Sequence, residues 1–126
     1  MILLDTDVLI EILDRKSSKG GNMLQRIQDQ KEAVGTTVIN LHEILYGLYK
    51  YAKPIGDVLL LPVLKYAKQD AVLSSKLESD VEKQGSAIRR TDAMIAAICI
   101  NNDALLCTFD SKHFRPLSRQ GLKLFT

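Results

Sequence analysis

Met1 to Leu4 is an unbroken apolar run that stops at Asp5. A short run of that kind suits a strand buried on both faces, as in a parallel sheet. The pattern then shifts to helical spacing at Val8, Leu9, Ile12 and Leu13, so a helix is expected within two or three residues of Asp5. Ser17 to Asn22 reads as a loop, and Met23 to Glu32 as a helix with Leu24 and Ile27 on one side. Val34 to Ile39, rich in β-branched residues, predicts a second strand, and Asn40 then caps a helix. In that helix Leu41, Ile44, Leu45 and Leu48 fall at i, i+3, i+4 and i+7, one apolar face. Pro54, Gly56 and Pro62 punctuate the next stretch, where a short helix and a short strand near Val63 are expected. Gln69 to Gln84 predicts a helix carrying Leu73, Leu77 and Val81, closed by Gly85. Thr91 caps a further helix with a stripe of Met94, Ile95, Ile98 and Cys99. Ala104 to Cys107 predicts a strand, Asp110 to Phe114 a turn, and Leu122 to Phe125 an edge strand.

Strands alternating with helices argue for an α/β fold with a mostly parallel sheet, helices on both faces and right-handed crossovers. The 126 residues suit one domain, 1–126, and 46% hydrophobic with 25% charged residues is ordinary globular usage. Collagen-like, disordered and coiled-coil classes are excluded. A net charge of +2 without charge blocks means that any anionic partner must meet a local site. Cys99 and Cys107 form neither a disulfide framework nor a CxxC pair and read as small buried apolar groups. Asp5, Asp7, Glu11 and Asp14 are foreign to a secretory leader, and no apolar run approaches the length of a membrane span. A cytoplasmic protein is expected.

The acids are informative by position. In open α/β sheets sites form beyond the carboxyl ends of the strands. Asp5 ends the first strand, Glu43 lies in the helix after the second, Asp92 opens the helix leading to the next long strand, and Asp110 follows that strand. Each has a structural reading: Asp92 as a helix N-terminal charge, Glu43 as part of a capping box with Asn40, Asp110 as a turn residue. Together, at one sheet edge, they point to a site. Two carboxylates at 4 Å repel by about 4 kcal/mol at an effective dielectric of 20, so such a cluster takes up protons or binds a cation. Oxygen ligands select Mg²⁺ or Mn²⁺, whereas His42 and His113 lack the partners of a zinc site and read as non-catalytic. Hard cations held by carboxylates meet substrate phosphates, and a pair of them supports phosphodiester hydrolysis. Arg89, Arg90, Lys112 and Arg115 flank these acids as candidate phosphate contacts.

Several stretches together resemble a PIN domain, most closely a VapC-type toxin of a toxin–antitoxin pair. They are Leu4-Asp5-Thr6-Asp7-Val8-Leu9-Ile10, Glu43 with Tyr46-Gly47, Gly85 with Ile88, Asp92-Ala93-Met94-Ile95-Ala96-Ala97, and Thr108-Phe109-Asp110 with His113-Phe114. The resemblance implies a three-layer α/β/α domain and an Mg²⁺- or Mn²⁺-dependent endoribonuclease. Asp5, Glu43, Asp92 and Asp110 match the family's acidic quartet, with Asp5 and Asp92 as main ligands and Glu43 and Asp110 direct or through water. Thr6 and Thr108 match supporting hydroxyls. Such toxins are usually homodimers that cut RNA and are blocked by a small antitoxin. Asp7 departs from the family's usual Ser or Asn, either as a further ligand or as an outward helix cap.

Two rivals remain. Asp5-Thr6-Asp7-Val8 also resembles the opening of haloacid-dehalogenase-type phosphatases, but the late acid pair they need is missing, since Asp103 and Asp110 are seven apart. A non-catalytic PIN-like binding module, using Tyr46, Tyr49 and Tyr51 as a contact surface, is the other.

Overall fold

The computed structural model describes all 126 residues. Five strands form one sheet in the order β3-β2-β1-β4-β5, every neighbouring pair parallel. They are β1 (Ile2–Leu4), β2 (Val34–Thr37), β3 (Val63–Leu64), β4 (Leu105–Cys107) and β5 (Lys123–Leu124). The helices are α1 (Thr6–Leu9, prolonged by a π-helical turn, Ile10–Asp14), α2 (Ser18–Asp29), α3 (Val38–Lys50), α4 (Lys68–Lys83), α5 (Arg90–Asn101) and α6 (Arg115–Ser118). A 3₁₀ turn, Val58–Leu60, precedes β3.

Strand alternation splits the core into two layers. Ile2 and Leu4 pack on one face with Val8, Leu9, Ile27, Ile44 and Leu48 of α1, α2 and α3. Leu3 packs on the other with Leu77, Val81, Ile95, Ile98 and Leu117 of α4, α5 and α6. The three-layer α/β/α arrangement expected from the alternating pattern is therefore present. Helix α5 is buried on most of its circumference, from Ala93 through Cys99, because it lies between the sheet and α4. Both thiols are buried in these layers, and burial pushes each up to about 12, as inert apolar groups should be.

Three boundaries differ from the sequence expectation. Ser17 to Asn22 is not a loop: Ser17 is the N-cap of α2, its Oγ accepting the Gly20 N–H at 3.0 Å, and both glycines are helical. The second strand ends at Thr37 rather than Ile39, and Thr37, not Asn40, caps α3. The Thr37 hydroxyl accepts the Asn40 N–H at 3.1 Å, which stops the strand two residues earlier than β-branching suggests. Helix α5 is capped at Arg89, so Thr91 is an exposed residue of its first turn. At the end of α4 the expected Gly85 termination is present. Gly85 has φ +82°, Ser86 N–H bonds Val81 C=O, and Gly85 N–H bonds Glu82 C=O, a Schellman closure.

Candidate functional site

The chain leaves β1 toward β2 and β3 on one side, and β4 and β5 fill the other. The order reverses at β1, and a crevice opens beyond its carboxyl end. Asp5 stands there, its N–H bonded to Cys107 C=O at 2.9 Å. Its buried carboxylate is fully engaged: Oδ1 accepts from Thr6 N–H (2.9 Å) and Asn40 Nδ2 (2.9 Å), and Oδ2 accepts from the Thr108 hydroxyl (2.7 Å).

Asn40 was missed as a site residue in the sequence. It is wholly buried in the first turn of α3, accepts from the Thr37 hydroxyl (2.7 Å), and donates to Asp5 and to Thr6 Oγ1 (3.0 Å). Thr6 passes the chain on, its hydroxyl donating to Glu43 Oε1 at 2.8 Å. Asn40 and Glu43 are three apart, so both face the crevice from one side of α3. That i, i+3 spacing is the signal that could have revealed Asn40.

Asp92 reaches the same edge from α5 and is buried there. Arg89 Nε lies 3.0 Å from its Oδ2 and Arg89 Nη2 3.4 Å from its Oδ1. His113 Nε2 lies 2.6 Å from Oδ2, so with an ionised carboxylate the shared proton sits on Nε2. His113 therefore touches the site as a partner of Asp92, a contact that the non-catalytic reading from sequence did not foresee. The search for metal-ligand spacing could not find it, because its partner here is an acid. The Asp110 turn, in which Oδ1 accepts the His113 N–H at 3.2 Å, delivers the ring.

Asp110 itself is exposed at the rim, its N–H bonded to Thr108 Oγ1 at 3.1 Å. Lys112 lies beside it, lining a shallow polar depression with Ser86 and His113. Arg115 opens α6 with its side chain outside. Arg90 does not join the crevice: its guanidinium pairs twice with Glu78 of α4, at 3.1 Å each.

Asp7 is no outward cap. Its Oδ2 accepts the Phe109 N–H at 3.1 Å, and its Oδ1 is buried with no hydrogen-bond partner. Burial, then the charge of Asp5, pushes the Asp7 carboxyl up to about 6. Asp5 is also raised, by burial first and further by Asp92, against the lowering pull of its hydrogen bonds. A carboxyl whose folded pKa exceeds its ordinary 3.8 favours the neutral folded form. The destabilisation is absent below about pH 4, grows between about pH 4 and 6, and is complete above. Asp7→Asn in chelator is therefore expected to leave stability unchanged near pH 4 and to raise it by about 2 kcal/mol at about pH 8, a discount on the full shift for partial solvation. Urea unfolding at the two pH values measures the difference, and equal midpoint changes at both would contradict it.

No three His, Cys, Asp or Glu side chains converge as a ready-made cage for a metal ion. The chemistry of the donors nonetheless fits a hard cation: carboxylate oxygens alone, one of them orphaned on Asp7, with the burial and mutual repulsion described above.

In sequence, residues 2–119 match the family model for the PIN domain. Among curated proteins none matches at a significant level. Solved structures do. VapBC-1 from nontypeable Haemophilus influenzae is similar with a TM-score of 0.81 at 22% identity, over 99% of this chain and 97% of that one. VapBC2 from Rickettsia felis, bound to a DNA fragment from its promoter, gives 0.79 at 22% over 99% and 98%. A toxin–antitoxin complex from Klebsiella pneumoniae gives 0.74 at 19%, over 91% of each chain.

Proposed function

The chain belongs to the PIN domain family, and from that premise we propose that it is a metal-dependent endoribonuclease, the toxin of a VapBC-type toxin–antitoxin pair. The observation that supports this reading is that Asp5, Asp92 and the Thr6-linked Glu43 lie within reach of one another's charge at the switch point of the sheet, with Arg89 bonded to Asp92 and its charge stabilised further by Glu43 and Asp5. The antitoxin partner is suggested by the complexes that share the fold. Exposed Tyr46, Tyr49 and Leu60 offer surface for that partner or for a second copy. No helix is long and apolar enough to cross a membrane, and we assign the protein to the cytoplasm, where its RNA would be.

Asp5 and Asp92 would hold Mg²⁺ or Mn²⁺, with Glu43 and Asp110 direct or through water. When bound, the cation supplies charge neutralisation and lowers the pKa of water. The chain's own contributions are separable. Asn40, Thr6 and Thr108 fix the Asp5 and Glu43 oxygens, so little reorganisation accompanies charge development. His113 fixes Asp92. Lys112 and Arg115, exposed and unpaired at the rim, are available to the RNA backbone. The phosphatase alternative loses ground because residues 2–119 match the PIN domain model and the late acid pair it needs is missing.

The test is cleavage of a mixed RNA pool with Mn²⁺ by wild type beside identically prepared Asp92→Asn. Discrete cuts by wild type alone are expected. Equal behaviour of the two would end the nuclease reading and leave the binding module in its place.

A further inference from the structure

We propose that Arg89 is a releasable counter-ion that exchanges between Asp92 and the RNA backbone. In the cation-free protein its guanidinium holds Asp92. When a divalent cation takes that carboxylate, the freed guanidinium turns to a phosphate of the bound RNA. The inference rests on the nuclease reading and adds a second station for one of its residues.

Three observations lead here. First, both oxygens of Asp92 are already engaged, Oδ2 by Arg89 and His113 and Oδ1 by Arg89. Oδ2 has both lone-pair sites taken, so a cation that coordinates it displaces one partner, and a cation that coordinates Oδ1 meets the charge of the same guanidinium at 3.4 Å. Second, the two partners differ in anchorage. The Arg89 side chain is 67% exposed and makes no other hydrogen bond, whereas the His113 side chain is 33% exposed. His113 is tied by its own N–H to Asp110 and stands edge-on to the Phe114 ring at 5.9 Å. Arg89 is the group that can depart, and His113 keeps the carboxylate aimed when it does.

Third, Arg89 is a cation among several carboxylates: its charge is stabilised by Asp92 above all, then by Glu43 and Asp5. An ion pair whose guanidinium is two-thirds exposed holds its single positive charge weakly, and a divalent ion that binds several of those oxygens outcompetes it. The displaced guanidinium is a planar fork that suits a phosphate. Arg90, one residue on, cannot play this part because Glu78 holds it.

Calorimetric Mn²⁺ titration of the chelator-treated full chain reads the first station. Arg89→Gln is expected to bind Mn²⁺ roughly fivefold more tightly than wild type. Arg90→Gln carries the same charge change and should leave the affinity as it was. Arg89→Lys, which keeps the charge and loses the fork, should fall between. Binding of a 2′-O-methyl RNA reads the second station. In Mg²⁺, Arg89→Gln should weaken binding and reduce the salt slope by about 1. In chelator, with Arg89 on Asp92, wild type and Arg89→Gln should bind alike.

Mn²⁺ affinity unchanged or lower in Arg89→Gln overturns the exchange, as does an equal gain in Arg90→Gln. So does an RNA defect of the same size in chelator and in Mg²⁺, which would make Arg89 a permanent phosphate contact. If neither wild type nor Arg89→Gln binds Mn²⁺, the metal-dependent reading falls and the exchange with it. Mn²⁺ binding by wild type without the Arg89 effects removes the exchange alone.

Discussion

Asp5→Asn is expected to lower RNA cleavage on the order of 10³-fold or more while leaving the protein at least as stable at neutral pH. The loss follows from removing a charge at the centre of the carboxylate cluster, where even one preorganised donor is worth about 10²–10³ in other sites. The retained stability follows from the hydrogen bonds. An Asn oxygen in the Oδ1 position still accepts from Thr6 N–H and Asn40 Nδ2. Its amide in the Oδ2 position donates to Thr108 Oγ1, whose own hydrogen can turn to Asp7 Oδ2 at 3.5 Å. The raised pKa of Asp5 means that its charge is tolerated at a cost in the cation-free fold, and Asn removes that cost. Cleavage rates with saturating Mn²⁺ beside urea midpoints separate the two effects. Activity within tenfold of wild type, or a large drop in midpoint, would refute this account of Asp5.

Gly20→Ala is expected to destabilise by about 3 kcal/mol, with Gly21→Ala as its control. A Cβ on Gly20 would lie 2.2 Å from the Glu11 carbonyl oxygen and 2.8 Å from the Ile12 nitrogen. Those atoms are main chain of the π-helical turn that follows α1, so no rotamer change relieves the overlap. The turn or α2 must move, and α1, which Asp5 caps, moves with them. A Cβ on Gly21 meets nothing within 4 Å, and Ala there should stabilise by about 0.5–1 kcal/mol through helix propensity. Thermal or urea unfolding of the pair checks both signs, and similar effects at the two positions would show that the close approach is not what Gly20 serves.

The same contact explains why part of the fold was illegible in the sequence. Gly20 and Gly21 are the reason that stretch reads as a loop, yet Gly20 is glycine because two segments touch there, a tertiary cause with no local signature. The strands were legible because buried parallel strands are short apolar runs, and β1 and β4 fall where the runs are. The candidate carboxylates were legible because Asp5 and Asp110 follow strands, Asp92 lies in the first turn of a helix and Glu43 on the helix after β2, positions that a parallel sheet gathers. Their supporting residues were not. Asn40 looks like a cap until Thr37 is seen to do that work, and His113 has no recognisable partner until the Asp110 turn folds it onto Asp92. Arg90 shows the opposite failure, a basic residue adjacent to the site in sequence and claimed by Glu78 in space.

The central position of β1 has a consequence for synthesis. β1 pairs through Ile2 with Val34 on one side and with Leu105, made about a hundred residues later, on the other. At about 5–20 residues per second, the second partner arrives roughly 5–20 s after the first strand has emerged. Until then Leu3 and the apolar face of α1 have no finished layer to enter. Asp5 meanwhile lacks Thr108, the hydroxyl that completes its hydrogen bonding from 103 residues away. A nascent chain therefore carries Asp5 without the crevice, and the same topology that gathers the acids defers the crevice until β4 and Thr108 have been made.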